Sequence, residues 1–382
     1  MNILHINVSA ICDKFYVILF DKLSEFAKPY VYCPYSEREN TKESVAECRA
    51  RYKEKKIQVY LCPIKKSLYK IFYFTKIRAY SIFFIKNRRN NYDIIHAHSL
   101  YTDGGCAYWI SKRYKIPFIV AVRGTDTMEF MKYFKHLNYF ARKILESASF
   151  VIFITPDQKR LTIRHLYGSR KPKWLDRSII LPNGIDDFWL KNLNYSTKSI
   201  SLREKKLKLI QVSRLVKYKN IDKTILATAI LRKWGYNVEL TIVGEGPELN
   251  RLKGLTSENG LDKHVIFSGF INDKSELLAM YRSNDIFILP SLGETFGISY
   301  IEALSQGLPI IGLDGAGVSG YLKESRVGCF LQQAVPELIA SSVVDCLENY
   351  KDYSINAKLH SNEFKWESII TKYKEIYKIA QS

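Results

Sequence analysis

Two glutamates in the second half of the chain have the type and spacing to grip a phosphorylated ligand. They stand in SLGETFGISYIEALSQGLPIIG, residues 291–312, as Glu294 and Glu302. The apolar run Ile286–Leu289 ends in Pro290 and a Ser/Gly/Thr loop. From Phe296 the apolar residues Ile298, Ile301, Ala303 and Leu304 take helical spacing until Gly307 stops it, and a buried strand follows. Glu294 therefore lies just before a helix and Glu302 two turns inside it. A helix rises ~1.5 Å per residue, so the carboxylates are separated by roughly 12 Å, about the span of a nucleoside diphosphate. The free amides near Thr295, Phe296 and Gly297 would take the diphosphate at the positive end of the helix dipole, and Gly297 would let phosphate approach the backbone. Glu302 would accept hydrogen bonds from vicinal ribose hydroxyls, and Glu294 would face the group beyond the phosphates. A capped amphipathic helix with two incidental surface acids has the same pattern.

The pair resembles the Glu-x7-Glu mark of the retaining GT-B glycosyltransferases of family 4. In QVSRLVKYKNIDKTI, residues 211–225, Arg214 and Lys219 stand in a loop at a strand's carboxyl end, before a helix that Asn220 or Asp222 can cap. They match that family's R-x4-K diphosphate clamp. Two fixed cations beside a leaving diphosphate stabilise charge as the glycosidic bond breaks. They make a divalent ion unnecessary, and no two aspartates in the chain stand two apart as a D-x-D metal motif requires. A lysine-rich solvated loop is the plain alternative. IVGEGPELNRL, 242–252, is similar to the family's GxGP turn, with Gly244 and Gly246 turning the backbone tightly and leaving room for the ligand; a purely structural turn has the same pattern. VIFSGFI, 265–271, matches the strand before the family's nucleobase loop. GAGVSG, 315–320, fits a dinucleotide-binding G-x-G-x-x-G, but no strong helix follows it and no acid ends the next strand. The family usually carries G-[IV]-P-E here, so Ser319 and Gly320 are departures.

These residues need strands to position them, and both halves supply a series. In the first half Ile3–Asn7, Tyr30–Cys33, Ile57–Leu61, Ile94–His98, Phe118–Val122, Phe150–Thr155 and Ile179–Leu181 alternate with helical stretches. In the second, Leu207–Val212, Glu239–Val243, Val265–Phe267, Ile286–Leu289, Pro309–Gly312 and Gly328–Leu331 do the same. Such alternation predicts parallel sheets covered by helices. LPNGIDDFW, 181–189, resembles the family's PNGVD turn before the interdomain hinge. A final amphipathic segment, about 364–380, puts Trp366, Ile369, Ile370, Tyr373, Ile376 and Tyr377 on one face.

At strand ends of the first half stand His96 and His98, in YDIIHAHSLYTDGG, and Arg123, Gly124 and Asp126, in AVRGTDTMEF. His96 suits a satisfied histidine in the sheet. His98 is equally placed for a catalytic position or for the core. The family commonly has His where this chain has Arg123, which signals a more anionic donor or acceptor; Arg123 and Asp126 would meet the sugar or the acceptor. NVSAICDKF lacks the Gly-rich loop that many relatives have after the first strand.

Composition describes a soluble globular chain: 382 residues, 47% hydrophobic and 25% charged. No apolar run reaches the ~18 residues needed to span a bilayer, and the N-terminus reads as a strand and helix rather than a signal peptide. Seven scattered cysteines with no C-x-x-C pair suggest neither a disulfide framework nor a zinc site. The net charge of +20 is uneven, with 33 Lys and Arg against 17 Asp and Glu in residues 1–190 and 25 against 21 in the remainder. Residues 51–90 carry 12 basic residues and the single acid Glu54. There KKSLYKIFYFTKIRAYSIFFIKNRR mixes Leu68, Ile71, Phe72, Phe74, Phe83 and Phe84 with cations, as a helix lying on an anionic membrane would, or one buried on the sheet with a solvated basic side. No nucleic-acid motif accompanies the charge.

The resemblance implies an α/β chain of two Rossmann-like domains facing across a cleft (GT-B). Residues 1–190 would form the acceptor side, 191–362 the nucleotide-sugar domain, and 363–382 a helix crossing back to the first domain. It implies retaining transfer of a sugar from a nucleotide-diphosphate sugar to a hydroxyl of a glycan or lipid-linked acceptor, as in cell-surface polysaccharide assembly. The leaving phosphate would take the acceptor proton on the same face, and Glu294 would orient the sugar rather than attack it, unlike a retaining glycosidase's carboxylate. No cofactor beyond the nucleotide sugar is implied, nor a nucleic-acid partner. The expected setting is cytoplasmic, with peripheral contact to the inner membrane face. A nucleotide-sugar epimerase of the same fold, a nicotinamide oxidoreductase built on GAGVSG and a non-catalytic sugar-nucleotide-binding protein are the rival readings.

Overall fold

The computed structural model describes residues 1–11, 14–36, 41–64, 73–87, 91–194 and 206–381, which form two compact units, Met1–Pro182 with Glu367–Ser382 and Asn183–Trp366. The first unit holds seven strands: β1 (Asn2–Ile6), β2 (Lys28–Ser36), β3 (Gln58–Ile64), β4 (Ile94–Ala97), β5 (Phe118–Val122), β6 (Phe150–Phe153) and β7 (Ser178–Ile180). All pair in parallel, in the order β3-β2-β1-β4-β5-β6-β7. The strands are short apolar runs because helices cover both faces: every residue of β4, β5 and β6 is buried. Leu4, Ile95, Val120 and Val151 pack with Ala107, Ile110 and Ile144 of the helices Thr102–Tyr114 and Asn138–Ser147. The order reverses beside β1, which places the carboxyl ends of β1 and β4 at a topological switch point.

The terminal helix Trp366–Gln381 turns the face read from its sequence inward, with Ile369, Ile370, Tyr373, Ile376 and Tyr377 all buried. Its residues from Glu367 onward belong to the first unit.

The second unit repeats the plan with β8 (Lys206–Val212), β9 (Asn237–Val243), β10 (Val265–Gly269), β11 (Ile286–Leu289), β12 (Ile310–Leu313) and β13 (Gly328–Leu331), all parallel in the order β10-β9-β8-β11-β12-β13. Each sheet thus contains every strand expected from the sequence. The core gathers Leu209, Leu240, Ile242, Ile286, Ile288 and Ile311 under Ile225, Ile339 and Val343 of two covering helices. The Pro-Asn-Gly turn has a packing reason: a Cβ at Gly184 would lie 2.3 Å from the Trp366 ring, and the Ile185 amide donates to the Phe364 carbonyl at 2.9 Å.

The helix expected from Phe296 begins two residues later, at Ile298, because Gly297 takes a left-handed φ of 85° that no helical residue shares. Of the basic aromatic stretch, Lys65, Lys66, Leu68, Ile71, Phe72, Arg88 and Arg89 lie outside the described residues, as does most of the polar linker before β8. The described part is a helix, Tyr73–Asn87, that buries Ile77, Tyr80 and Phe84 and exposes Phe74 and Phe83. No helix among the described residues is long and apolar enough to cross a membrane.

Candidate functional site

Two loops at the carboxyl ends of β8 and β11 are tied into one surface in the second unit. Asn220 sits in the left-handed region at φ 52°, and its Nδ2 donates to the Pro290 carbonyl at 2.7 Å. The Leu292 amide donates to the Tyr218 carbonyl at 2.9 Å. This lacing brings the expected cation and the expected carboxylate together: Lys219 Nζ lies 2.5 Å from Glu294 Oε2, with the side chains only 12% and 13% exposed. Glu294 is held from behind as well. A Cβ at Gly297 would meet its Cγ at 3.0 Å and one at Gly317 would meet it at 2.8 Å, while the Gly317 amide donates to the Glu294 carbonyl at 3.1 Å. The GAGVSG glycine therefore serves close packing against the Glu294 loop, which removes the basis for a dinucleotide reading.

Arg214 is exposed and makes no ion pair among the described residues. With Ser213, Gly244, Glu245, Phe270 and Ile271 it lines a cavity of about 490 Å³ at the ends of β8, β9 and β10. Gly244 and Gly246, read as leaving room for a ligand or as a purely structural turn, make room for a neighbouring loop. A Cβ at Gly244 would lie 1.9 Å from the Ser213 carbonyl oxygen, and one at Gly246 2.3 Å from that of Leu215. The same approach closes hydrogen bonds from Ser213 to Val243 and from Leu215 to Glu245, at 3.0 and 2.8 Å. The glycines thus position Arg214 by bringing two backbones together.

Inside the helix Ile298–Ser305, Glu302 is half-buried and its Oε2 accepts the Tyr281 hydroxyl at 3.0 Å. Burial pushes its carboxyl up to about 7; the nearby Asp186 adds to the rise, while Tyr281 and Lys274 oppose it. Asp186 is itself paired with Lys274 at 2.6 Å. Tyr281 and this ion pair escaped the sequence reading, since they come from separate elements and no linear motif joins them. Thr295 is half-buried. Phe296 is buried with its ring 5.6 Å from Phe364, so only its backbone is available to a ligand.

In the first unit the expected residues turn inward. Asp126, assigned to the sugar or acceptor side, is buried, and its carboxylate accepts the amides of Arg123 and Leu100 at 2.8 and 2.9 Å and of Tyr101 at 3.3 Å. It holds the ends of β4 and β5 together; burial pushes its carboxyl up to about 6 against those hydrogen bonds. Arg123 is buried too, with Nε donating to the His98 carbonyl at 3.2 Å and its guanidinium over the Tyr16 ring. His98, assigned a catalytic position, is 1% exposed, with its Nε2 3.0 Å from His5 Nδ1 and its ring against Phe20. The His98 ring is taken by the His5 side chain, whereas Asp126 and Arg123 share a cause: side chains at the ends of parallel strands can bond the loop backbones as readily as a ligand. Asp103, which the sequence reading passed over, does the same, accepting from the Val8 amide at 3.1 Å and Ser99 Oγ at 2.9 Å.

Residues 196–363 match the family Glycosyl transferases group 1, and residues 28–187 match Glycosyltransferase Family 4. An uncharacterized glycosyltransferase of Methanocaldococcus jannaschii is 26% identical over 76% of both chains. The alpha-monoglucosyldiacylglycerol synthase of Streptococcus pneumoniae is 27% identical over 62% of this chain and 55% of its own length. The N-acetyl-alpha-D-glucosaminyl L-malate synthase of Bacillus anthracis is 25% identical over 76% and 75%. Among solved structures, Anabaena HepE in complex with UDP superposes with a TM-score of 0.72 at 18% identity, covering 98% of this chain and 99% of that one. Sucrose-phosphate synthase of Thermosynechococcus elongatus superposes with a TM-score of 0.73 at 16% identity, covering 99% and 98%.

Proposed function

Since the chain belongs to the group 1 glycosyltransferases of the GT-B fold, we propose that it moves a sugar, with retention at the anomeric carbon, from a nucleotide-diphosphate sugar to a hydroxyl of a glycan or lipid-linked acceptor. The observation that carries this reading is the Lys219–Glu294 pair, held between two laced loops, one of which also carries the exposed Arg214. Arg214 and Lys219 take the two phosphates of the donor, and their fixed charge offsets the negative charge that grows on the leaving diphosphate. Two cations at this place make the step independent of a divalent ion. In the free protein Glu294 balances Lys219; with the donor bound, the ammonium turns to phosphate and the carboxylate accepts a sugar hydroxyl. Backbone amides at Thr295, Phe296 and Gly297 complete the phosphate site at the helix N-terminus. Glu302, oriented by Tyr281, accepts the ribose diol. The leaving phosphate receives the acceptor proton on the face it departs from.

The test is nucleotide release from UDP-, GDP- and ADP-sugars, with UDP-sugars first because the HepE relative was solved with UDP. Turnover that survives chelator and gives the donor's own anomeric configuration by NMR is the expected result. Inversion, or no release with any donor, refutes the reading. Interconversion of the sugar without an acceptor would identify an epimerase.

A lipid-linked acceptor fits the outer face of the first unit's helices. Phe74, Trp109, Tyr133 and Tyr139 are 52%, 47%, 67% and 60% exposed there, among the exposed cations Arg78, Lys112, Lys132, Lys135 and Lys143. Aromatic rings rimmed by lysine suit an anionic membrane surface, where the rings enter the headgroup layer and the ammonium groups meet phosphate. Sedimentation with anionic vesicles should fall at least tenfold in a Trp109→Ser, Lys112→Glu, Lys143→Glu variant; unchanged sedimentation removes the membrane reading and leaves the transfer reaction intact.

A further inference from the structure

Three histidines that are far apart in sequence meet on one face of the first sheet. β1 and β4 pair so that His5 stands beside His96, and His98 follows on the same side as β4 ends. All three are at most 1% exposed, and they are covered by the helix Lys14–Leu23, through Phe20, and by the terminal helix, through Tyr373 and Tyr377. A ring nitrogen from each lies within 4.8 Å of the other two. Each ring also has a buried nitrogen without a hydrogen-bond partner: His5 Nε2, His96 Nε2 and His98 Nδ1. Three orphaned nitrogens in one cluster are unusual, because a buried polar atom without a partner costs about 1–3 kcal/mol.

We propose that His5, His96 and His98 bind one zinc-class transition-metal ion inside the first unit. Neutral imidazole is the ligand form such an ion takes, and burial keeps all three rings neutral, holding each well below the usual histidine range. His5 Nδ1 and His98 Nε2 are 3.0 Å apart, close to the ~3.3 Å that separates two nitrogens on a tetrahedral zinc at about 2.0–2.1 Å. The ion takes the place of the proton they share and partners one of the three orphaned nitrogens, His96 Nε2, while His5 Nε2 and His98 Nδ1 stay outside the ligand set. His96 supplies the third ligand from within 4.8 Å. Its Nδ1 lies 2.7 Å from the Tyr377 hydroxyl; when Nδ1–H donates to that oxygen, Nε2 is left with its lone pair, the outer-shell arrangement that fixes a ligating histidine. Arg123 is a like charge nearby that repels the ion, and the buried Asp126 carboxylate, whose partner it is, moderates its field. The ion joins β1, β4 and the terminal helix and stands apart from the diphosphate chemistry proposed above.

The test uses the full chain, dialysed against chelator and then titrated with Co2+ and with Zn2+. One equivalent of Co2+ with the visible absorption of a tetrahedral site, and a melting temperature that rises with Zn2+, are expected. His5→Gln and His96→Gln should weaken uptake at least 100-fold, and Tyr377→Phe, which keeps every ligand, about 10- to 100-fold. Well under one equivalent bound by the unmodified chain overturns the proposal. So does equal affinity in the histidine variants, which would assign the metal to His136, His165, His264 or His360. Should either histidine variant fail to fold, the cobalt spectrum of the unmodified chain and the Tyr377→Phe affinity decide the matter.

Discussion

The two units build the same parallel sheet and use the ends of its strands in opposite ways. In the second, loop backbones bond to each other, Leu292 to Tyr218 and Leu215 to Glu245, which leaves the Lys219 and Glu294 side chains to pair with each other and Arg214 exposed. In the first, side chains do that work: Asp126 and Asp103 spend their carboxylates on backbone amides, and Arg123 spends its Nε on a carbonyl. A charge that holds a loop cannot also meet a substrate. Burial marks the difference more reliably than residue type, since both places hold a carboxylate near a basic residue.

Substitutions break the contrast most sharply where charge chemistry is assigned. Lys219→Ala and Glu294→Gln should each lower turnover by about 10²–10³-fold, the scale of losing one preorganised group at a developing charge, with a smaller loss of stability than the fully buried Asp126 would show. Steady-state nucleotide release checks this. Asp126→Ala should do the reverse, costing about 3 kcal/mol of stability by leaving buried amides unpaired while the folded fraction turns over normally. Denaturant unfolding beside active-site-normalised turnover separates the two. Equal effects on stability at Glu294 and Asp126 would erase the distinction.

Glu302 lies between these cases, half-buried and bonded to Tyr281. Its carboxyl is raised from an ordinary 4.5 to about 7, so the fold favours the protonated form. The stability it contributes is full below about 4.5 and is lost as pH rises through about 7. Donor binding has the opposite sign, because only the carboxylate accepts two ribose hydroxyls. Donor affinity should therefore weaken about tenfold as pH falls from 8 to 6, and Glu302→Gln should be weak and flat across that range. A binding titration of the nucleotide by calorimetry at several pH values measures both.

How much of this was legible depends on whether the signal is linear. The thirteen strands among the described residues were readable because parallel strands covered on both faces are short unbroken apolar runs. Arg214, Lys219, Glu294 and Glu302 stood out because each pair lies within a single loop or helix, where spacing fixes geometry. Asp126 and Arg123 have the same charged types at similar strand ends, and nothing in their spacing says that the loop backbone claims them first. Gly244 and Gly246 were recognised as tight positions, but the chain that fills the space comes from 31 residues earlier, at Ser213 and Leu215. His5 and His98 are 93 positions apart; only the register of β1 on β4 joins them.

The smallest effect sharpens the contrast further, because it separates a charge's influence on titration from its worth to the fold. Asp186 and Lys274 form a partly exposed ion pair, which contributes about 0–1 kcal/mol to stability. Both act on Glu302, in opposite directions: Asp186 raises its carboxyl and Lys274 lowers it. Removing the lysine charge with Lys274→Met leaves the aspartate unopposed, so the pH midpoint for donor binding should move up. Asp186→Asn should move it down. Neither change should shift the melting temperature by more than the scatter expected of a surface pair. Midpoints moving together in the two variants would mean that the titration seen in donor binding belongs to another group, and that Glu302 is not where the ribose is held.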